Sequence, residues 1–139
     1  MIHKLSHTTL YVVDQERAKA FYTEKLGFEV TADQKLGDFR WLTVSPQGQS
    51  EPDIVLMSID QAPSLDDDSR AMLRKLVESG KLGACVFQTR DCRKTYAELK
   101  ARGVHFRGEP EERFYGIEAM FQDDSGNWFS LTQRTSPRP

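Results

Sequence analysis

Residues 5–30 read Leu5-Ser-His7-Thr-Thr-Leu-Tyr-Val-Val13-Asp14, then Gln15-Glu-Arg-Ala18-Lys-Ala-Phe21-Tyr22-Thr-Glu-Lys-Leu26-Gly27-Phe28-Glu-Val30. The run His7–Val13 is rich in β-branched and aromatic residues and reads as a strand. Asp14 is a helix N-cap candidate, because its carboxylate can accept from the first free backbone N–H groups. Ala18, Phe21, Tyr22 and Leu26 then recur at helical spacing, Gly27 ends the helix, and Phe28–Val30 opens a second strand. A strand–helix–strand unit is therefore legible here.

The chain repeats it. Leu82-Gly-Ala84-Cys-Val-Phe-Gln-Thr-Arg-Asp91 restates the strand and its closing Asp, 77 positions after Asp14 (91 minus 14). Cys92, Thr95, Tyr96 and Leu99 form the helix stripe, Gly103 the stop, and Val104-His-Phe106 a following strand. Glycine turns, Ser45-Pro-Gln-Gly48 and Asp123-Asp-Ser-Gly126, precede the last strand of each copy. Two copies predict a pseudo-symmetric domain rather than a solenoid.

Outward from the repeat, Phe28–Ala32, Phe39–Val44 and Asp53–Ile59 are predicted to complete the first βαβββ module, over residues 1–62. Residues 63–81 are predicted to be a helical linker. Ser64 and Asp67 resemble a capping box there, and Leu65, Met72, Leu73, Leu76 and Val77 form its apolar stripe. Residues 82–134 would form the second module, with Arg107–Phe114 at most an edge segment because of Pro110, and 135–139 a frayed tail. The fold class is α+β: two pseudo-symmetric βαβββ modules forming a cupped mixed sheet, in a single domain.

The 139 residues suffice for one core, and the formal charge of −2 with interleaved acids and bases leaves no basic face for nucleic acid. Two cysteines without a C-x-x-C spacing fit a reducing compartment. The start has no apolar leader-like region and no run reaches membrane-spanning length, so the expectation is a cytoplasmic protein without membrane contact.

His7-Thr-Thr-Leu-Tyr-Val with Ala20-Phe-Tyr-Thr-Glu-Lys-Leu-Gly-Phe28, and Asp123-Asp-Ser-Gly-Asn-Trp-Phe-Ser-Leu131, resemble the opening and closing motifs of the vicinal oxygen chelate superfamily. That superfamily includes glyoxalase I, extradiol dioxygenases, fosfomycin-modifying enzymes and bleomycin-binding proteins. The resemblance implies a cup that binds small molecules, often in a homodimer. It also implies a divalent metal held by one His or Glu from the first and last strand of each module. Carried over, those positions are His7, Leu56, Ala84 and Ser130, so only His7 keeps a strong donor. A metal needs three or four such donors, and the expectation is therefore no metal cofactor.

Arg40 and Glu118 stand at equivalent distances before Gly48 and Gly126. If both faced the cup, they would clamp a zwitterionic or carboxylate-bearing ligand; otherwise both are solvated strand residues. Leu42 and Met120 would share their faces. The leading expectation is a metal-independent binder of a small organic molecule, lined by His7, Arg40, Leu42, Leu56, Ala84, Glu118, Met120 and Ser130. The alternative is a lyase, isomerase or dioxygenase in which His7 and Glu118 anchor a relocated metal or act as an acid–base pair. Trp41, Trp128, Phe129, Phe114 and Tyr115 read mostly as core, with Phe114-Tyr-Gly116 a candidate pocket rim, and Cys92 reads as a small buried residue.

Overall fold

The computed structural model describes residues 1–135 and contains two four-stranded sheets. In the first, β1 (His7–Val12), β2 (Glu29–Leu36), β3 (Phe39–Ser45) and β4 (Asp53–Ser58) lie in the order β1-β4-β3-β2. In the second, β5 (Gly83–Gln88), β6 (Glu111–Arg113), β7 (Gly116–Gln122) and β8 (Trp128–Arg134) lie in the order β5-β8-β7-β6. The orders are the same under the repeat. In each sheet the opening strand runs parallel to the last and the other pairs are antiparallel, so both are mixed.

The helices start the same way in both modules. Asp14 accepts from the Arg17 N–H at the head of α1 (Gln15–Ala20), and Asp91 from the Lys94 N–H at the head of α3 (Cys92–Ala101). Helix α1 then widens into a π-helical turn over Phe21–Lys25, and Gly27 and Gly103 take the positive φ that stops each helix. Between the modules runs α2 (Asp67–Glu78). Its cap is Asp66, which accepts from the Ser69 N–H, and the Ser64 capping box does not form. Of the predicted stripe Val77 is fully buried, whereas Met72 and Leu76 are 63% and 46% exposed. Two further expectations change. The segment at Val104–Phe106 makes a single bridge, Phe106 to Phe121, rather than a strand. Strand β2 extends to Leu36. The tail expected at 135–139 lies, apart from Thr135, outside the described residues.

Register decides which side chains meet the helices. Leu10 pairs with Leu56 and Val44 with Ile54, so Leu10, Val12, Leu42, Val44, Ile54 and Leu56 share the face covered by Ala18, Phe21 and Tyr22. In the second sheet Phe87 and Ala119 pair with Leu131, and Phe121 with Phe129, against Cys92 and Leu99. The two sides join in one cluster through Phe28–Phe87 (ring centroids 5.4 Å) and Tyr22–Phe129 (6.4 Å).

A polar fastening joins the modules as well. Asp123 Oδ1 accepts from the backbone N–H groups of Ser125, Gly126 and Asn127, and its Oδ2 accepts from the buried Tyr22 hydroxyl at 2.8 Å. Asn127 Nδ2 donates to Asp123 Oδ2 and to the Tyr11 carbonyl, and the Val13 N–H donates to Ser125 Oγ. Thus the loop between β7 and β8 holds the end of β1. Gly126 is required on geometric grounds: at φ 117°, a Cβ there would lie 2.2 Å from the Val77 carbonyl oxygen.

Candidate functional site

Each sheet has one face covered by helices and one turned away from them. Side-chain alternation assigns every candidate to one or the other. On the first sheet, His7, Thr9 and Tyr11 share the free face with Asp53, Val55 and Met57, their register partners, and with Thr43, which pairs with Val55. Trp41, two residues before Thr43, is on the same side. Its indole meets the His7 imidazole with centroids 5.6 Å apart and planes at 59°. Since β4 lies between β1 and β3, this ring pair spans β4, and Val55 and Thr43 below are only 2% and 1% exposed. His7 Nδ1 lies 3.0 Å from Ser6 Oγ.

Arg40, Leu42 and Leu56 have the opposite parity and do not join His7. Leu42 and Leu56 are fully buried in the helix-side core. The Arg40 guanidinium bonds both oxygens of Asp33 at 2.8 Å and pairs with Glu16 of α1. These partners hold the Arg40 pKa above, and the Asp33 pKa well below, their ordinary ranges. The expected clamp of Arg40 and Glu118 across one cup is therefore not what the register builds. The positions beside Leu56 that do face His7's side are Val55 and Met57, and neither supplies the carboxylate.

On the second sheet the parity agrees with the expectation for Glu118, Met120 and Ser130. Met120 pairs with Ser130, Glu118 with Thr132, and Gln122 with Trp128, all opposite the Ala119–Leu131 core side. Ala84 is exposed next to a register irregularity between Gly83 and Val86. Glu118 Oε1 accepts from the Tyr115 hydroxyl at 2.6 Å, and its Oε2 accepts from Ser130 Oγ at 2.5 Å. That bond pushes the Tyr115 pKa up. Phe114, the predicted pocket rim, is 97% exposed.

Three contributors to this second face, Arg107, His105 and Trp128, were not anticipated as site residues. The Arg107 guanidinium lies over the Trp128 indole, 4.2 Å from its centroid, and the His105 ring meets the same indole at 6.0 Å. Trp128 Nε1 donates to the Gly80 carbonyl at 2.7 Å, which fixes the ring. The signal available in the sequence was alternation: Trp128 is two residues before Ser130, so a cup-facing Ser130 implies a cup-facing Trp128.

The His7 face offers one further metal donor type in register, Asp53, whose Oδ1 is buried without a hydrogen-bond partner. Two donors fall short of a divalent site, and among the described residues no group of three or more His, Cys, Asp or Glu is placed to hold a metal. The donor set of one chain thus does not fit the metal that the fold implies. The described partners of His7 are Ser6 and Trp41, and those of Glu118 are Tyr115, Ser130 and Arg113. No interaction among the described residues joins His7 to Glu118.

A cleft of about 400 Å³ also opens on the helix side of the junction, between Leu26, Phe28, Pro46 and Gln49 of the first module and Val86–Thr89 of the second.

The paired βαβββ modules and the motifs that open and close them have counterparts elsewhere. The model of the Glyoxalase/Bleomycin resistance protein/Dioxygenase superfamily matches residues 4–131. The chain belongs to this superfamily. It is 36% identical over 134 residues to YetH, an uncharacterized protein of Bacillus subtilis (strain 168), covering 96% of this chain and all of YetH. The crystal structure of UcmS2 superposes with a TM-score of 0.90 at 47% identity, covering 96% of this chain and 99% of UcmS2. TnmS3, an antibiotic binding protein from Streptomyces sp. CB03234, superposes with a TM-score of 0.73 at 33% identity, covering 96% of this chain and 98% of TnmS3. The superfamily relatives share the fold of two four-stranded mixed sheets. No helix among the described residues is long and apolar enough to cross a membrane.

Proposed function

We propose that this member of the superfamily binds a small, largely planar organic molecule on the helix-free faces of its sheets, without the divalent metal of its catalytic relatives. The observation that carries this is the composition of those faces: a Trp41–His7 ring pair on one and a Trp128–Arg107–His105 group on the other. Broad aromatic surfaces with a few polar groups are the usual chemistry of organic-ligand sites. The likeness to TnmS3, described as an antibiotic binding protein, supports the same class of ligand.

We propose further that two copies pair. Val86, Met72 and Phe114 are exposed apolar side chains that such a contact could cover.

Isothermal titration calorimetry with 2-naphthalenemethanol, and separately with zinc, nickel, manganese and ferrous iron, tests the reading. The aromatic alcohol is expected to bind and to lose affinity in Trp41→Ala. A one-to-one metal site of micromolar affinity that disappears in His7→Ala would overturn it.

A further inference from the structure

We infer that Arg107 reads an anionic group on the ligand, so that the molecule bound is a planar aromatic carrying one acidic oxygen function, such as a carboxylate or acidic phenol. This rests on the ligand-binding reading above and specifies its chemistry.

Most charges near the second sheet's free face already have partners. Glu118 is engaged by two hydroxyls, from Tyr115 and Ser130. Arg113, on the same rim, pairs with Glu111 at 2.7 Å and approaches Glu118 at 4.0 Å. Arg107 is different. Among the described residues no carboxylate lies within ion-pair distance of it, and its exposed side chain has only the Trp128 indole beneath it. Its position is nonetheless built: the Arg107 N–H donates to the Met120 carbonyl at 2.8 Å, and the indole below is held through Gly80.

A guanidinium stacked on an indole presents one flat face outward and keeps its N–H groups in the plane. A carboxylate arriving edge-on in that plane takes the N–H fork while its aromatic ring extends along the free face; a cationic plate cannot do this and a neutral one gains no charge-assisted pair. Arg107 also borders a recess of about 150 Å³ whose other charged walls are Glu109, Glu111, Glu118 and Arg113, so carboxylates outnumber guanidiniums there. That acidic rim disfavours a second negative charge, which limits the ligand to a monoanion.

The test compares three probes by calorimetry on the full chain: 2-naphthoate, 2-naphthalenemethanol and 2-naphthylmethylammonium. The wild type is expected to bind the carboxylate about tenfold more tightly than the alcohol, the size of one charge-assisted hydrogen-bonding contact at a solvated site. Arg107→Gln is expected to abolish that preference, bringing the acid and the alcohol to equal affinity, while Arg107→Lys keeps part of it. The naphthoate is also expected to shift the indole N–H resonance of Trp128 in a proton–nitrogen correlation spectrum. Equal affinity for acid and alcohol, tighter binding of the ammonium, or a preference that survives Arg107→Gln would overturn the role of Arg107 while the binding reading stands. Binding of none of the three would overturn both.

Discussion

Replacing Tyr22 by Phe removes one oxygen from the fastening between the modules and leaves everything else in place. The Tyr22 side chain is fully buried, its ring packs edge-on against Phe21 and Phe129, and its hydroxyl donates to Asp123 Oδ2 at 2.8 Å. Phe keeps those ring contacts. Burial and the adjacent Asp123 carboxylate push the Tyr22 pKa well up, so the hydroxyl remains a donor through the neutral range. A hydrogen bond to a charged group contributes about 1.5–3 kcal/mol. Asp123 retains four other donors, three backbone N–H groups and Asn127 Nδ2, so the carboxylate is not orphaned and the cost belongs at the low end, about 2 kcal/mol. With a urea m-value of about 2 kcal/mol per molar, the unfolding midpoint should fall by about 1 M with the slope unchanged. Equilibrium urea denaturation followed by far-UV circular dichroism measures both. A loss under about 0.5 kcal/mol would refute the claim that this bond stabilises the junction, since that is the usual scale of inconsequential substitutions.

Asp124 supplies a prediction of pH dependence. Burial and the neighbouring Asp123 raise its pKa from 3.8 to about 6, against the opposing pull of Arg17. Because the folded value is the higher one, the folded state holds this proton more tightly; the associated stability is complete below pH 3.8 and is lost as pH rises through about 6. Asp124→Asn should accordingly gain on the wild type between pH 5 and pH 7, by about 1–2 kcal/mol after solvent screening, and show no gain at pH 3.5 in parallel urea titrations. Arg40→Met should lower stability by about 1–2 kcal/mol through loss of the Asp33 and Glu16 contacts, yet leave calorimetric affinity for 2-naphthalenemethanol unchanged. A selective loss of that affinity would place Arg40 on the ligand side after all.

The repeat was legible because its punctuation is local. Asp14 and Asp91 cap helices, Gly27 and Gly103 stop them, and each property belongs to a residue's own backbone and nearest neighbours. The cup-facing set was only half legible, and the reason is parity. His7 lies in a strand whose partner, β4, is separated from it in sequence by a helix and two strands, so nothing local says whether Val55 or Leu56 shares its side. A shift of one residue moves a whole strand's side chains to the other face. Leu56 followed from such a shift, whereas Arg40 and Leu42 followed from counting back from a glycine turn whose loop is longer in the first module than in the second. The same counting placed Glu118 and Met120 with Ser130, because the short Asp123–Asn127 loop fixes their pairing tightly. Arg107 lay in a stretch read as an irregular edge, and its stacking on Trp128 depends on a fold-back that no spacing reveals.

The loop at Asp123–Asn127 reaches across to the first module, but its counterpart does not return the gesture. The bonds of the Pro46–Gln49 loop stay within its own module: the Gln49 N–H donates to Pro46, Gln49 Nε2 to Pro52, and Ser45 Oγ to the Gln49 carbonyl. The cleft lined by Pro46 and Gln49 on one side and by Val86–Thr89 on the other lies where a symmetric clasp would close. Of the two turn loops, only the second thus stitches the copies together; the bond from Arg102 Nη1 to the Lys25 carbonyl joins them elsewhere, between helix ends. The duplicated halves have ceased to be interchangeable: one turn loop carries the groups that grip the other module, and its counterpart carries none of those bonds. Drift in the Pro46–Gln49 loop breaks no described hydrogen bond across the junction, while drift in Asp123–Asn127 unpicks it.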